Sequence, residues 1–483
     1  MNLSTLKEET HTSQIPHKSG FVAALMLTAS MASIDRSIVN VSLPAIREDF
    51  QVGINEVEWV VTAYMLSFLL VLPLMNWLKN RVGYYRLTVV CLSIFTIGSV
   101  CCSMAPELFW LVLCRTIQAA AGGIMTPMSM AILSEMLPRE EKGSAIAWWG
   151  IGNVTGLAIG PTLGGALGHY LGWPSVFYIN LPLGLIALFL AVRYMAFMKH
   201  HAVSVNKFDF TGYFLFMCFI LSVQLWVWTI SKYSPASVYP WAVMVAAVLL
   251  LVGYIKSSNK PDALLDLSVF RYALFNRSAI VIFIRSIALF GGMFYLPFLL
   301  QGELGYTQMQ TGMLMLPNAL MVLLTRPAAG RLADKGKVRD ITMLGIGMVS
   351  LSFVLFAQIG EKAAPWWIVT IMMIRGIGMG YLVAPVSASL LNSVRRDQTA
   401  TATTMNSLIL QLGGSLGVAM SGVFYHLLYD HYVLNQPSET AEHFALKGSF
   451  LIAAGLILLA WIPAWKLPRS NPDLGGGGEK IPQ

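Results

Sequence analysis

Residues 152–165 read Gly-Asn-Val-Thr-Gly-Leu-Ala-Ile-Gly-Pro-Thr-Leu-Gly-Gly, with glycine at positions 152, 156, 160 and 164. In an apolar helix this spacing puts glycine on one face, so that the backbone of a second helix approaches closely. Pro161 removes one amide donor and introduces a kink. The stretch predicts a tightly packed membrane helix that takes part in a conformational change. Ordinary packing of membrane helices is the alternative interpretation.

The whole chain has the composition of a protein that crosses a membrane many times. Of its 483 residues, 56% are hydrophobic and 12% are charged. Runs of about 20 apolar residues, long enough for a hydrocarbon core of about 30 Å, recur throughout. They predict an all-α polytopic membrane protein with fourteen spans, at approximately 20–45, 57–76, 86–104, 108–133, 143–168, 173–197, 208–230, 239–256, 276–300, 308–328, 340–358, 366–391, 401–425 and 446–466.

The positive charges indicate the topology. Most of the 32 Lys and Arg residues fall in the tails and in alternate loops, which the positive-inside rule assigns to the cytoplasm. Both termini are therefore expected in the cytoplasm. The net charge of +8 is spread over many short loops, so it reflects topology and implies no nucleic-acid partner.

The pattern of reactive residues favours neither an enzyme nor a metal protein. The five cysteines, at 91, 101, 102, 114 and 218, lie in apolar spans without the spacing of a metal site. The sequence has no paired catalytic carboxylates, no Ser/His/Asp set and no phosphate-binding glycine loop. We expect no metal, no cofactor and no enzymatic activity.

An internal repeat divides the chain into two halves. Arg115-Thr-Ile-Gln in the fourth span is echoed by Arg375-Gly-Ile-Gly in the twelfth, and the loop at 81–83 is matched by 330–335. Two parallel halves are typical of rocking transporters. The predicted parts are a cytoplasmic tail 1–19, a six-helix bundle 20–199, two inserted helices 200–258, a cytoplasmic amphipathic linker 259–275, a second six-helix bundle 276–466 and a flexible cytoplasmic tail 467–483.

Several stretches resemble signatures of one family. Residues 34–44, Ile-Asp-Arg-Ser-Ile-Val-Asn-Val-Ser-Leu-Pro, resemble its first-helix signature, and Arg115 with Gln118 resembles its fourth-helix arginine motif. Residues 152–165 resemble the antiporter motif of its fifth helix. Further similarity lies at 173–182, 208–212 and 264–271. From about residue 20 to 466 the chain resembles the fourteen-span drug:proton antiporter branch of the major facilitator superfamily, which implies two six-helix bundles plus two inserted central helices.

The resemblance also implies a set of gating residues, with one departure. Between spans two and three the family usually has Gly-x-Leu-Ala-Asp-Arg-x-Gly, whereas residues 76–83 read Asn-Trp-Leu-Lys-Asn-Arg-Val-Gly. An amide in place of that acid should weaken or re-tune the contact that latches the outward-facing state. The predicted gating residues are Asn80, Arg81, Gly83, Gly152, Gly156, Gly160, Pro161, Gly164, Gly165 and Asp334.

Charged residues inside spans are costly and therefore point to function. They are Asp35, Arg36, Arg115, Arg285 and Arg375. Asp35 lies roughly 21 Å above the start of its span, and Arg115 lies roughly 10 Å below the outer boundary of a core about 30 Å thick, so both are near one level. We expect the two to pair, and an acid that alternates between a proton and an arginine is a coupling device. A static ion pair is the alternative.

Polar residues within the spans supply candidates for a substrate cavity. They are Arg36, Asn40, Gln118, Asn153, Gln224, Arg285, Asn318, Arg375, Asn406 and Gln411. For each amide, a hydrogen bond between helices is the alternative interpretation. A cavity with more arginines than acids favours anionic, zwitterionic or neutral amphiphiles over cations.

These observations predict a proton-coupled antiporter that exports small amphiphilic compounds, a multidrug-type efflux protein of the kind that confers antibiotic resistance. The proton gradient is its expected energy source, Asp35 and Arg115 its coupling residues. The alternatives are a proton-coupled importer of a small anionic or neutral metabolite and a non-transporting membrane sensor or scaffold. We expect a functional monomer in the cytoplasmic (inner) membrane of a bacterium, with a periplasmic adaptor and an outer-membrane channel as open partner candidates.

Overall fold

The computed structural model describes residues 17–200, 208–233, 237–258, 260, 264–360, 363–395 and 398–468. Within these ranges every regular element is a helix. Most of the predicted tails 1–19 and 467–483 lies outside the described residues, as do parts of the segments predicted at 200–258 and 259–275.

The fourteen long helices are labelled α1 to α14 in chain order. They are α1 Lys18–Ile38, α2 Trp59–Val71, α3 Tyr84–Ser103, α4 Leu108–Met136, α5 Arg139–Leu171, α6 Asn180–Tyr194, α7 Phe210–Lys232, α8 Val238–Ser257, α9 Ala273–Pro297, α10 Gln308–Asp334, α11 Val338–Ala357, α12 Pro365–Leu391, α13 Thr399–Val433 and α14 Ser438–Leu459. Short helical turns extend several of them, at Val39–Ser42, Leu43–Phe50, Ile54–Val57, Leu72–Leu74, Met75–Val82, Ser175–Tyr178, Ala196–His200, Leu267–Arg271, Phe298–Glu303 and Trp461–Trp465.

The helices match the predicted spans one for one. Thirteen of the described helices, with their extensions, are long and apolar enough to cross a membrane. Helix α5 has 33 residues and is long enough to cross a membrane, but its mean hydropathy is too low for it to count among the thirteen. The many glycines of α5 lower that mean. The chain is a multi-pass, all-helical membrane protein, and α5 is its fourteenth candidate span.

The helices pack as two groups. In the first, α1 packs on α5 and α6, α3 on α4 and α6, and α4 on α2. In the second, α9 packs on α13 and α14, and α12 packs on α10 and α11. Helices α7 and α8 pack on each other, and α7 also packs on α13. Only 17% of the most apolar stretch of α8 is buried inside the protein, so this helix presents most of its surface to lipid.

Contacts between the two groups gather at one end, called here the closed end, where α5 finishes and α10 begins. The main helix pairs across the boundary are α5 with α10 and α2 with α13. At this end Gln301 Nε2 donates to the Val41 carbonyl at 2.8 Å, and Gln308 Nε2 donates to Ser42 Oγ at 2.7 Å. Arg47 Nη2 lies 3.4 Å from Glu442 Oε1. The hydrogen bonds and ion pairs between described residues of the two groups therefore hold this end together.

A capping box sets the start of α10 and so the position of Gln308. The Thr307 hydroxyl accepts a hydrogen bond from the Gln310 backbone N–H at 3.2 Å. The Gln310 side chain in turn accepts one from the Thr307 backbone N–H at 2.9 Å. This reciprocal cap fixes where the helix begins, which leaves Gln308 in its first turn facing the other group.

The glycines of α5 serve two faces of the helix. Those at 152, 156, 160 and 164 lie against α1, and a Cβ at Gly156 would lie 2.9 Å from the Ser30 carbonyl oxygen. Gly165 faces α10 instead, where a Cβ would lie 2.5 Å from the Gln308 carbonyl oxygen. Across this contact Thr162 Oγ1 donates to the Gly312 carbonyl at 3.2 Å. The four-residue repeat thus packs α5 within its own group, and the next glycine forms the contact between groups.

Replacing Gly165 with Leu should prevent the closed end from forming, because the side chain would separate α5 from α10. Ser42 is fully buried at this end. A Ser42→Cys thiol, in a background without the five native cysteines, should therefore resist labelling, and adding Gly165→Leu should expose it and abolish transport.

Gly150→Leu is the matched control on the same helix, since a Cβ there meets nothing within 4 Å. It should leave thiol protection and transport intact. Protein amount and monodispersity in detergent separate loss of gating from loss of folding. Continued protection of the Ser42→Cys thiol in the Gly165→Leu protein would contradict the assignment.

Candidate functional site

The centre of the first group holds a buried ion pair. Asp35 lies near the end of α1 and Arg115 lies two turns into α4, and the two helices run in opposite directions. Arg115 Nη1 is 2.6 Å from Asp35 Oδ2, as expected from the common level of the two residues. Asp35 is fully buried and Arg115 is 1% exposed. A charge pair removed from water this completely is stable only if its other lone pairs and protons are also satisfied.

Two amide side chains complete the environment of the carboxylate. Gln118 Nε2 donates to Asp35 Oδ1 at 2.9 Å, and Asn180 Nδ2 donates to the same oxygen at 2.8 Å. Both amides also donate to Ser99 Oγ. Helices α1, α3, α4 and α6 therefore meet at one carboxyl group, which receives three donors. We call Asp35, Ser99, Arg115, Gln118 and Asn180 the Asp35 cluster.

Aromatic rings enclose the arginine of the cluster. The Arg115 guanidinium carbon lies 4.1 Å from the centre of the Tyr64 ring and 5.5 Å from that of Phe177. Arg115 Nη1 also donates to Gln118 Oε1 at 2.8 Å. Tyr64 comes from α2, which packs on the second group through α13. Through Tyr64, the Asp35 cluster is thus in direct contact with α2, the helix whose packing on α13 would change if the two groups moved relative to each other.

The arrangement allows one chemical event, the addition of a proton to Asp35. A protonated Asp35 no longer carries the charge that holds Arg115, and removal of one charge from a buried pair costs about 3–5 kcal/mol unless another anion replaces it. A proton and the Arg115 cation therefore compete for the same carboxylate. This competition is the chemistry that a coupling residue requires.

Three residues of this site were not among the sequence candidates. Asn180, Ser99 and Tyr64 lie in apolar spans, and none of them carries a charge that would mark it. Asn180 falls within a stretch, 173–182, that resembles a family signature, and this resemblance is the feature of the sequence that could have identified Asn180 as a site residue. No feature of the sequence could have identified Ser99 and Tyr64, because a hydroxyl in a membrane helix often bonds only to its own backbone and so does not indicate a site.

The predicted cavity residues of the first group mostly contact other helices. Asn153 Oδ1 accepts a hydrogen bond from Ser33 Oγ, which joins α5 to α1. The Arg36 guanidinium carbon lies 5.6 Å from the centre of the Phe68 ring. Asn40 is partly buried in the turn after α1, where its carbonyl accepts from the Leu43 backbone N–H. For Asn153 this contact is the hydrogen bond between helices that was the alternative interpretation, and the cavity roles of Arg36 and Asn40 stay predictions.

The polar residues of the second group are less well satisfied. Gln224 of α7 accepts a hydrogen bond from Ser415 Oγ at 3.3 Å. Buried side-chain oxygens without a hydrogen-bond partner among the described residues belong to Asn318, Asn406 and Gln411. Buried polar atoms are normally paired, so these amides offer unused hydrogen-bonding capacity.

Two buried arginines of the second group have no carboxylate partner in the described part of the chain. Arg375 Nη2 donates to the Leu289 carbonyl at 3.2 Å, and its guanidinium carbon lies 5.0 Å from the centre of the Phe353 ring. Arg285 is 2% exposed, and its Nε is buried without a partner. A buried cation without an anion is a strong electrostatic attractor.

Arg326 is a further arginine of the second group; it is partly buried and falls within the predicted span 308–328, although it was not among the charged residues singled out from the sequence. Helix α10 continues to Asp334, so Arg326 lies within the helix and within the candidate span Gln308–Ala333. Its Nε is buried without a partner among the described residues.

The predicted gate loop lies at the end opposite the closed end. Asn80 is partly buried in the short helix Met75–Val82, and Arg81 covers the Trp77 ring at 5.1 Å. Gly83 has a φ of 83°, which favours glycine at this helix end. Asp334 is the last residue of α10, and its side chain lies outside the described residues. The gating roles of these residues stay predictions.

Comparison with known proteins agrees with the fold. The riboflavin transporter RibZ of Clostridioides difficile is 29% identical over 437 residues, covering 89% of this chain and 93% of that protein. The multidrug resistance protein B homolog of Mycobacterium tuberculosis is 29% identical over 414 residues, covering 84% and 76%. A bacterial homolog of the human lysosomal transporter Spinster, in an inward-facing and occupied conformation, superposes with a TM-score of 0.65 at 16% identity, covering 93% and 96%.

The sequence pattern that defines one family extends over most of the chain. The model of the Major Facilitator Superfamily matches residues 25–418, which include the Asp35 cluster, the glycine repeat of α5 and Arg375. Members of this family are transporters and not enzymes, in agreement with the expectation from sequence. The chain belongs to the Major Facilitator Superfamily.

Proposed function

We propose that this transporter is a proton-coupled antiporter that exports small anionic, zwitterionic or neutral amphiphiles from a bacterial cytoplasm by alternating access. The observation that carries the proposal is the Asp35 carboxylate, buried among three donors and 2.6 Å from Arg115. A conformation that draws Arg115 away would leave Asp35 to take a proton, and substrate binding that returns Arg115 to the carboxylate would expel that proton.

Export is the direction that we propose, since one similar protein is named a multidrug resistance protein B homolog. With both termini in the cytoplasm, as expected from the sequence, the closed end would face outward. The whole Asp35 cluster lies within one chain, which favours a functional monomer, and the adaptor and outer-membrane channel stay predictions.

Import is the second candidate, and one relative favours it. RibZ is a riboflavin transporter by name, and a similar protein could take up a small anionic or neutral metabolite with protons. Transport of a compound panel into right-side-out and inverted vesicles distinguishes the two directions, because an exporter accumulates substrate only in the inverted vesicles.

Asp35→Asn should abolish proton exchange and leave substrate binding, because the amide keeps the size of the side chain and loses its titration. In weak buffer, substrate added to the purified wild-type protein should release protons, and the Asp35→Asn protein should release none. Glu48→Gln, a change to an exposed acid beyond α1, is the matched control and should release protons normally. Equal release from wild type and Asp35→Asn would refute the coupling role.

Arg285→Gln should weaken the binding of anionic substrates by about tenfold or more, the usual loss when a buried charge-assisted hydrogen bond is removed. Neutral substrates should be affected less. Arg271→Gln is the control, since Arg271 lies exposed in the turn before α9. An equal loss of affinity for anionic and neutral compounds would show that Arg285 stabilises the fold and does not bind the substrate.

Asn80→Asp should shift the protein toward the state in which the closed end opens, because it restores the acid that the family signature carries at a helix end. Labelling of the Ser42→Cys thiol should increase. Asn76→Asp, an exposed change in the same short helix, should not alter labelling. Unchanged labelling in the Asn80→Asp protein would show that other contacts set the balance.

A further inference from the structure

The closed end contains a second buried acid that the Asp35 cluster does not involve. Glu58 lies between the turn Ile54–Val57 and helix α2, and it is 7% exposed. Its Oε2 atom is buried and has no hydrogen-bond partner among the described residues. An acid this deeply buried is normally paired, so its environment calls for a physical explanation.

Glu58 lies in the contact between the two groups of helices. Its carboxyl group rests against the backbone of α13 at Gly422, where a Cβ would lie 2.6 Å from the Glu58 Cδ atom. A glycine at this position leaves the room that the carboxyl group fills. Helices α2 and α13 form one of the two main boundaries between the groups. Separation of the groups would therefore expose Glu58 to water.

The charge state of Glu58 should differ between the two conformations. In the closed arrangement an ionised carboxylate would have one oxygen, Oε2, buried against the backbone of α13 without a hydrogen-bond partner among the described residues, which is costly. A neutral carboxylic acid is tolerated there much better. Once α2 and α13 separate, water can solvate the carboxylate. Closure of this end and protonation of Glu58 therefore favour each other.

A cavity beside Glu58 offers protons a route to it. It has a volume of about 400 Å³ and lies between α2, α7 and α13. The charged and titratable residues lining it are Glu56, Lys232 and His426. Each has another contact: Glu56 Oε2 accepts from the Gly53 N–H at 2.9 Å, Lys232 Nζ lies 4.9 Å from the Trp228 ring centre, and His426 Nε2 lies 3.4 Å from Asp430 Oδ2.

The packing from α9 brings one further titratable group near this boundary. The Tyr295 hydroxyl donates to the Ser421 carbonyl at 2.6 Å, one residue before Gly422. Its proton is therefore directed to the backbone of α13. Water in the cavity is then the source of a proton for the Glu58 carboxyl group.

We propose that Glu58 is a second proton-binding site, which takes a proton from water in this cavity and thereby drives the closure of this end of the protein. The proposal rests on the proposed alternating-access transport. It adds a proton that binds at the closed end, between α2 and α13, independently of the proton at Asp35. The step converts a hydrated carboxylate to a buried carboxylic acid.

The test measures the gate directly, without substrate. Spin labels at Glu107→Cys and Asn435→Cys, both exposed at this end on different groups, report its opening in the full chain without native cysteines. The distance is measured by electron paramagnetic resonance between about pH 5 and about pH 9. In the otherwise wild-type protein the distance should lengthen as the pH rises. Glu58→Gln should keep the short distance throughout, and Glu58→Asp should restore a pH response.

Glu56→Gln is the matched control, because Glu56 lies two residues away on the same turn and is exposed. It should respond to pH as the wild type does. A wild-type distance that does not change with pH, or the same response in Glu58→Gln as in the wild type, would overturn the proposal. The experiment uses no substrate, so failure of antiport at Asp35 would appear in the proton-release assay and not here.

Discussion

The buried carboxylate of Asp35 imposes the main constraint on the first group of helices. A fully buried charge requires donors, and four helices build its site: α1 carries the acid, α4 the arginine and one amide donor, α6 the second amide donor, and α3 the hydroxyl that accepts from both amides. In a membrane no water can replace a missing donor. The four helices must therefore stay in register, and the cluster responds to any event that changes the charge of Asp35.

The two groups of helices differ in how their charges are satisfied. In the first group Arg115 has its acid, Asp35, at 2.6 Å. In the second group Arg285 and Arg375 have no carboxylate among the described residues, and the amide oxygens of Asn318 and Gln411 are unpaired. We propose that one half holds the exchanging proton and that the other binds a polar or anionic substrate. Glycine contacts along α5 and α10 let the halves approach closely at one end.

Sequence reasoning succeeded where charge and length determine the outcome. The spans follow from apolar runs, and the Asp35–Arg115 pair follows from two charges at one depth, since each needs a partner in lipid. Sequence reasoning failed where the contacts of a site depend on the direction in which an uncharged side chain points. Nothing in the sequence indicated that Asn180 donates to Asp35, that Ser99 accepts from both amides, or that Gly165 contacts the other group while Gly164 packs on α1.

The central claim is that Asp35 exchanges a proton with Arg115 as its competitor during transport. Difference infrared spectroscopy of the purified protein tests this directly, because a protonated carboxyl group has a carbonyl stretch of its own. On addition of substrate, the account predicts loss of such a band in the wild type, no such loss in Asp35→Asn and the same loss in Glu58→Gln. An identical band change in the wild type and in Asp35→Asn would contradict the account.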